Sequence, residues 1–220
     1  YNRSLDSIKK YKKEVAVTNQ IKDLKEADVY LLALSDDVIP EMAKQLKDLK
    51  GIIAHTAGSV PMSILNESNN YGVFYPLQTF SKNRDTDFKN IPICLEASNE
   101  GSYQTLFKLA STLGNNINKI NSEQRLRLHT AAVFVNNFTN HLYQLGNTIC
   151  KEHNISFSLL QPLIKETAAK IESMTPKDAQ TGPALRKDNI TLQKHQVQLS
   201  NPDIKNLYLY LTESIQKNNE

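Results

Sequence analysis

The chain has 220 residues, 40% of them hydrophobic and 22% charged, and a net charge of +3 with both signs interspersed. Those proportions suit a globular protein with one large core or two modest ones, and they leave no basic footprint for nucleic acid and no apolar run of membrane-spanning length. Cys94 and Cys150 stand alone and the five histidines show no ligand spacing, so the sequence predicts no metal site, no membrane or nucleic-acid partner and a reducing, cytoplasmic setting.

In chain order, residues 4–14 read as a short helix and 15–18 as a brief strand. Residues 28–34 are an apolar run bounded by charge, the pattern of a strand buried on both faces. Ser35-Asp36-Asp37 then opens a helix reaching about Leu49, with its acidic residues at the positive end. Gly51 stops it, and 52–55 is the next buried strand. Thr56-Ala57-Gly58-Ser59 is a turn of small residues, after which Pro61 suits the first turn of a helix. Strands follow at 71–75, 91–96 and 116–120, with a helix over 99–113. Strands alternating with helices predict parallel βαβ units. After residue 120 the strand patterns stop, and helices are expected at 121–151, 156–174, 191–199 and 202–217. The predicted fold is therefore an α/β domain over 1–120 and an all-helical domain over 121–220.

The long helix is the most informative stretch. Asn121 with Gln124 three residues on is a capping-box pattern. About 30 residues follow without proline, enough to span roughly 45 Å. Ala131, Val135, Phe138, Leu142, Leu145 and Ile149 make an apolar seam, while Arg125, His129, Asn136, Asn140 and Asn147 fall on the other side. No Asp, Glu, Lys or Arg occurs from Thr130 to Cys150. Such a stripe suits a cleft or subunit interface; its ordinary alternative is a solvated face.

In open parallel sheets, ligands bind beyond the carboxyl ends of the strands. Here those ends carry Asn2-Arg3-Ser4, Ser35-Asp36-Asp37, His55-Thr56-Ala57-Gly58 and Tyr75-Pro76-Leu77-Gln78, all short, polar or small. Topology alone thus nominates a crevice.

Taken with the Asn-Arg-Ser opening and the helical second half, these features resemble the superfamily of pyrroline-5-carboxylate reductase, 6-phosphogluconate dehydrogenase and the 3-hydroxyisobutyrate dehydrogenases. The segments 55–61 (His-Thr-Ala-Gly-Ser-Val-Pro), 71–80 (Tyr-Gly-Val-Phe-Tyr-Pro-Leu-Gln-Thr-Phe), 137–142 (Asn-Phe-Thr-Asn-His-Leu) and 180–184 (Gln-Thr-Gly-Pro-Ala) look like a Rossmann-like bacterial family whose C-terminal half is a domain of unknown function. The resemblance spans the chain. Such proteins open with a strand and a G-x-G-x-x-G turn that cradles the pyrophosphate. None of the seven glycines here forms that pattern, and Tyr1-Asn2-Arg3-Ser4 resembles the end of the second strand. The first βα unit is therefore expected to be missing from this chain; the alternative is a variant that has lost the cofactor.

The resemblance implies NADP rather than NAD, because an arginine at the position of Arg3 accommodates a 2′-phosphate where an acidic residue would bind the ribose hydroxyl. It implies cofactor contacts from Asn2, Arg3, Ser4, Ser35, Asp36, Asp37, His55, Thr56, Ala57 and Gly58. Substrate contacts are implied for Tyr75, Gln78, Asn137, Thr181 and Gly182. The relatives carry a catalytic Lys on the long helix with Asn one turn later. His129 and Val133 stand at those positions, and Asn136 and Asn140 lie further along. His129, an imidazole able to give a proton near neutrality, is the candidate acid, with Asn136 and Asn140 as companions; a structural histidine at a helix interface is the plain alternative. These readings describe an NADP-dependent oxidoreductase, dimeric through its helices, acting on a small carbonyl, imine or hydroxy compound. A non-enzymatic nucleotide- or metabolite-binding homodimer is the rival.

Overall fold

The computed structural model describes residues 1–82 and 84–219. It divides into two compact units, Tyr1–Asn137 and Phe138–Glu220.

The first unit is built on five strands, β1 (Val29–Leu32), β2 (Ile52–His55), β3 (Tyr71–Pro76), β4 (Ile93–Ala97) and β5 (Ile117–Lys119), lying in that order in one sheet. Its helices are α1 (Leu5–Ile8), α2 (Ile39–Leu46), α3 (Glu100–Ser111) and α4 (Ser122–Ala132). Neighbouring strands are parallel except β3 and β4, which are antiparallel with Gly72 opposite Ala97 and Pro76 opposite Ile93. This corrects the expectation of parallel pairing throughout. Parallel neighbours need a crossover, usually a helix, whereas the described residues of 77–92 contain only a 3₁₀ turn at Phe88–Asn90, so the chain re-enters the sheet from the end at which it left.

Other expectations are also revised. The strand expected over 15–18 does not form; Val15 is 58% exposed, and the Asn2 N–H donates to the Thr18 carbonyl at 3.1 Å as a single bond. β1 sits at an edge of the described sheet with Leu31 43% exposed, not covered on both faces. Residues 35–37 form a turn, Val38 N–H closing onto the Ser35 carbonyl, and α2 begins at Ile39. After Pro61 there is only a 3₁₀ turn, Met62–Leu65.

Inward of β1, both faces of the sheet are covered. On one, Ala54, Phe74, Ile93 and Leu95 pack against Leu106 and Ala110 of α3. On the other, Leu32 and Ile53 pack against Met42, Ala43 and Leu46 of α2, while Val73, Tyr75 and Cys94 meet Leu128 of α4. The period of two in strands and 3.6 in helices puts these residues on matching faces. Side chains are close-packed there, and truncating a buried leucine to alanine costs roughly 2–5 kcal/mol. Two helices start where the sequence says. Asn99 caps α3 by accepting from Ser102 N–H at 2.8 Å, and Asn121 and Gln124 form the expected reciprocal box at α4.

The long helix is not one uninterrupted α-helix. Ala132 is followed by a π-helical segment, Val133–Phe138, and then by α5 (Thr139–Glu152). Each i→i+5 turn inserts one residue into the α pattern and rotates the residues beyond it by about 100°, so the straight seam and stripe read from the sequence do not persist through it. The second unit also contains α6 (Gln161–Lys170), α7 (Asn189–Gln198) and α8 (Pro202–Lys217), with Asp188 and Asn201 capping the last two. Among the described residues of this unit, only Cys150, Ala184 and Leu192 are buried hydrophobics. No helix is long and apolar enough to cross a membrane among the described residues.

Candidate functional site

His55 ends β2 fully buried. Its Nδ1 accepts from the Ala57 N–H at 3.2 Å, which folds the chain sharply and fixes the hydrogen of the neutral ring on Nε2. Burial first, and the nearby Arg125 charge second, hold its pKa down at about 4 against the opposing pull of the Pro61 backbone, Glu96 and Asp36. The ring is therefore uncharged near neutrality, and Nε2 has no hydrogen-bond partner among the described residues. Thr56 N–H donates to the Leu32 carbonyl of β1 at 3.3 Å. The Ser59 hydroxyl donates to the Asp36 carboxylate, so the loops leaving β1 and β2 are tied together.

His55, Val73 and Glu96 stand opposite one another on β2, β3 and β4, and partners in register share a face of the sheet. Against that face lies Arg125 of α4, 1% exposed, in an ion pair with Glu96. Arg125 also donates to the Val60 carbonyl at 2.6 Å and to Ser122 Oγ at 3.2 Å. Glu96 in turn accepts from Ser122 N–H at 3.0 Å and from its hydroxyl at 2.8 Å. The carboxylate thus sits at the N-terminal end of α4, where free N–H groups and the helix dipole favour negative charge. Ser122 Oγ accepts from Met62 N–H at 2.9 Å. The first turn of α4 is pinned to β4 and to the segment leaving β2.

One turn beyond Arg125, His129 reaches the same loop. Its Nδ1 is 3.2 Å from Tyr75 Oη, with the two rings edge-on and 6.2 Å between centroids. Tyr75, on β3, is 8% exposed; burial pushes its phenol pKa up, Cys94 adds to this and Arg125 opposes it. Gly58 closes the cluster. A Cβ there would lie 2.5 Å from His129 Nδ1, 2.7 Å from its Cγ and 3.0 Å from the Tyr75 ring. Only glycine lets the β2 loop come this close to the imidazole.

The structure therefore gathers His55, Thr56, Ala57, Gly58, Asp36, Tyr75 and His129 on one end of the sheet. Ser35 and Asp37 are exposed in the same turn as Asp36. Asn2, Arg3 and Ser4 are exposed, with Ser4 N–H donating to Asn2 Oδ1 at 3.0 Å. Gln78 is exposed beyond β3 and bonds the N–H of Thr79. Asn136 and Asn137 lie on the π-helical segment. Asn140, Thr181 and Gly182 belong to the second unit, where Gly182 takes a left-handed turn at φ +109. The Glu96–Ser122–Arg125 cluster is absent from the candidates drawn from the sequence. Its trace there is a glutamate inside the apolar run 91–97, since a charged residue in a covered strand needs a partner.

At the crest of the sheet, short polar groups line the linked 35–37 and 56–59 loops, and buried Ala57 and Gly58 keep the backbone free of bulky side chains, so a polar ligand meets hydrogen-bonding groups there without a steric block. Among the described residues no group of three or more His, Cys, Asp or Glu side chains is placed to hold a metal ion.

Residues 91–215 match the family model described as "Domain of unknown function (DUF2520)". The chain belongs to the DUF2520 family. It is also 40% identical to a candidate NADP oxidoreductase of Bacteroides fragilis, with a TM-score of 0.90 over 99% of this chain and 87% of that one. The Thermotoga maritima protein TM1727 is 20% identical, with a TM-score of 0.79 over 98% of this chain and 90% of that one. An imine reductase from Myxococcus stipitatus, in complex with NADP+, is 13% identical, with a TM-score of 0.56 over 98% of this chain and 82% of that one. The last two likenesses are likenesses of fold, a Rossmann-like α/β sheet followed by helices. No curated protein matches the sequence.

Proposed function

We propose that this DUF2520 protein is an NADP-dependent oxidoreductase that passes a hydride between the nicotinamide and a small carbonyl, imine or hydroxy compound. The observation that carries this reading is the placement of His129 against Gly58, beyond the carboxyl end of β2, where ligands of such sheets bind. The 40% identity to a candidate NADP oxidoreductase supports it, and the imine reductase fold is in keeping with imines among the substrates.

The cofactor, when bound, supplies or accepts the hydride. The chain's own residues do the rest. Ser35, Asp36, Asp37 and residues 55–58 hold the ribose and nicotinamide, and Asn2, Arg3 and Ser4 select the 2′-phosphate. Arg3 makes the charge-assisted contact, worth a roughly 10- to 100-fold preference for NADPH over NADH. In reduction, His129 gives a proton to the oxygen or nitrogen of the substrate as its carbon gains the hydride, and solvent returns the proton. Asn136 accompanies it, and Gln78 and Asn137 face substrate. Residues 1–120 serve as the dinucleotide-binding domain and 121–220 as the helical domain, through which two copies pair in the cytoplasm. The apolar residues left exposed on the helices support that pairing.

NADPH oxidation screened across cyclic imines and keto acids tests the proposal. Turnover with one class, falling about 100-fold in His129→Gln while NADPH affinity holds, is the expected result. Binding of NADPH without turnover on any substrate would instead make the protein a sensor module. Equal turnover in the variant would remove His129 from the reaction.

A further inference from the structure

The two nitrogens of His129 are in different circumstances. Nδ1 is 3.2 Å from a hydroxyl on a buried strand residue, and the Gly58 backbone lies so close to Nδ1 and Cγ that a single methyl would collide with both. The Nδ1 edge is thus occupied by β3 on one side and by the β2 loop on another. His129 nevertheless keeps part of its surface in solvent.

We infer that Tyr75 is a positioning residue for His129, holding Nδ1 so that Nε2 is the nitrogen that exchanges a proton with substrate. The inference rests on the reading of His129 as the proton donor, and it gives Tyr75 a task other than direct contact with substrate.

A tyrosine suits this task better than a carboxylate or a backbone carbonyl, because a phenol both donates and accepts. When the imidazole is neutral, Tyr75 Oη–H donates to Nδ1 and the ring hydrogen is on Nε2. When the imidazole is protonated, the hydroxyl turns and accepts from Nδ1–H. In both charge states Nδ1 stays engaged and Nε2 carries a hydrogen. Burial keeps the phenol protonated, so no tyrosinate competes for that hydrogen. In reduction the imidazolium gives its Nε2 proton to the substrate heteroatom, whose carbon has received the hydride. The neutral ring left for that moment carries its hydrogen on Nδ1, donated to Tyr75 Oη. A solvent proton at Nε2 then regenerates the imidazolium, and the resting ring returns to the Nε2–H form.

The anchoring of α4 supports the same geometry. Arg125, one turn before His129, ties the helix to Glu96 on β4 and to the Val60 carbonyl. The position of His129 Cα is therefore fixed by contacts independent of Tyr75, and removing the Tyr75 hydroxyl should release the ring without moving the helix.

The test combines imidazole ¹⁵N spectra with kinetics, on the 220-residue protein and its Tyr75→Phe variant. In the unaltered protein, neutral His129 should be the Nε2–H tautomer, with the Nδ1 resonance displaced by its hydrogen bond. Tyr75→Phe should abolish that displacement and mix the tautomers. In turnover it should lower kcat about 10-fold and leave KM within about a factor of two, the pattern of a lost transition-state contribution. A neutral Nδ1–H tautomer, or nitrogen shifts unchanged by the substitution, would overturn the inference. So would a raised KM with unchanged kcat, which marks a substrate contact. The spectra need no substrate. A failure of His129→Gln to slow turnover would therefore count against the proton donor alone, while the tautomer would still report on Tyr75.

Discussion

The two compact units of the chain handle their apolar and charged residues differently. In the first, Ile53, Ile93, Leu95 and Leu106 have no exposed surface, and the sheet inward of its β1 edge is covered on both faces by its own helices. In the second, Leu159 is 71% exposed, Ile190 70% and Val197 84%. The ion pairs contrast as well. Arg125 is buried against Glu96, whereas Lys170–Glu166 and Lys217–Glu213 lie on exposed helix faces, where such pairs contribute little. A sheet has two faces and closes when both are covered. A helix has apolar surface all along its stripe, and a few helices can leave part of it unmatched. That surplus is the surface a second copy would cover in the homodimer we propose.

Breaking the buried charge should have the largest effect. Arg125→Met leaves the Glu96 carboxylate largely desolvated and without its cation, and it should lower unfolding stability by about 3–5 kcal/mol in urea titrations. Adding Glu96→Gln should recover part of the loss. A cost below about 1 kcal/mol would mean that the first unit does not depend on this pair.

The second effect is one of pH. The pKa of His55 is lowered from 6.5 to about 4, so the unfolded chain takes up its proton first as pH falls. The contribution is fully present above about pH 6.5 and is lost between there and about pH 4. It amounts to roughly 3 kcal/mol at most. Thermal melts across that range should show the loss, and a His55→Asn variant should flatten it.

The smallest effect on folding is expected in the second unit. Leu159→Asp with Leu163→Asp should change the stability of dilute protein by no more than about 0.5 kcal/mol per site. The same pair should convert a dimer to a monomer in sedimentation. A dimer that persists unchanged would place the interface elsewhere, and a large loss in dilute protein would show that the second unit relies on these residues for its own core.

Much of the architecture is legible from local pattern. The runs at 52–55, 71–75 and 91–96 became strands, and the capping box at Asn121 and Gln124 forms as written, because both depend on residues within a turn or two of each other. The antiparallel β3–β4 pair was not legible, since strand direction depends on which end of the sheet the connecting segment returns to. The π-helical segment was hidden too: VFVNNF carries no proline or glycine to mark an irregularity. For the site, the sequence drew attention to His55, Gly58, Tyr75 and His129. What it lacked was their mutual arrangement, in which Gly58 lies against the His129 and Tyr75 rings.

By itself, then, the sequence determined the sheet strands from residue 29 to 120, the change from alternating strands to helices, and a small set of polar groups beyond the strand ends. These come from periodicity and from capping and turn chemistry, all of which act over a few residues. Only the tertiary structure decided that Glu96 and Arg125, 29 residues apart, neutralise each other in a covered site. It alone set His129 against Tyr75 and Gly58, 54 residues and more along the chain. Such pairings depend on strand register and on the angle at which a helix meets the sheet, and both are fixed by the packing of whole surfaces rather than by any local pattern.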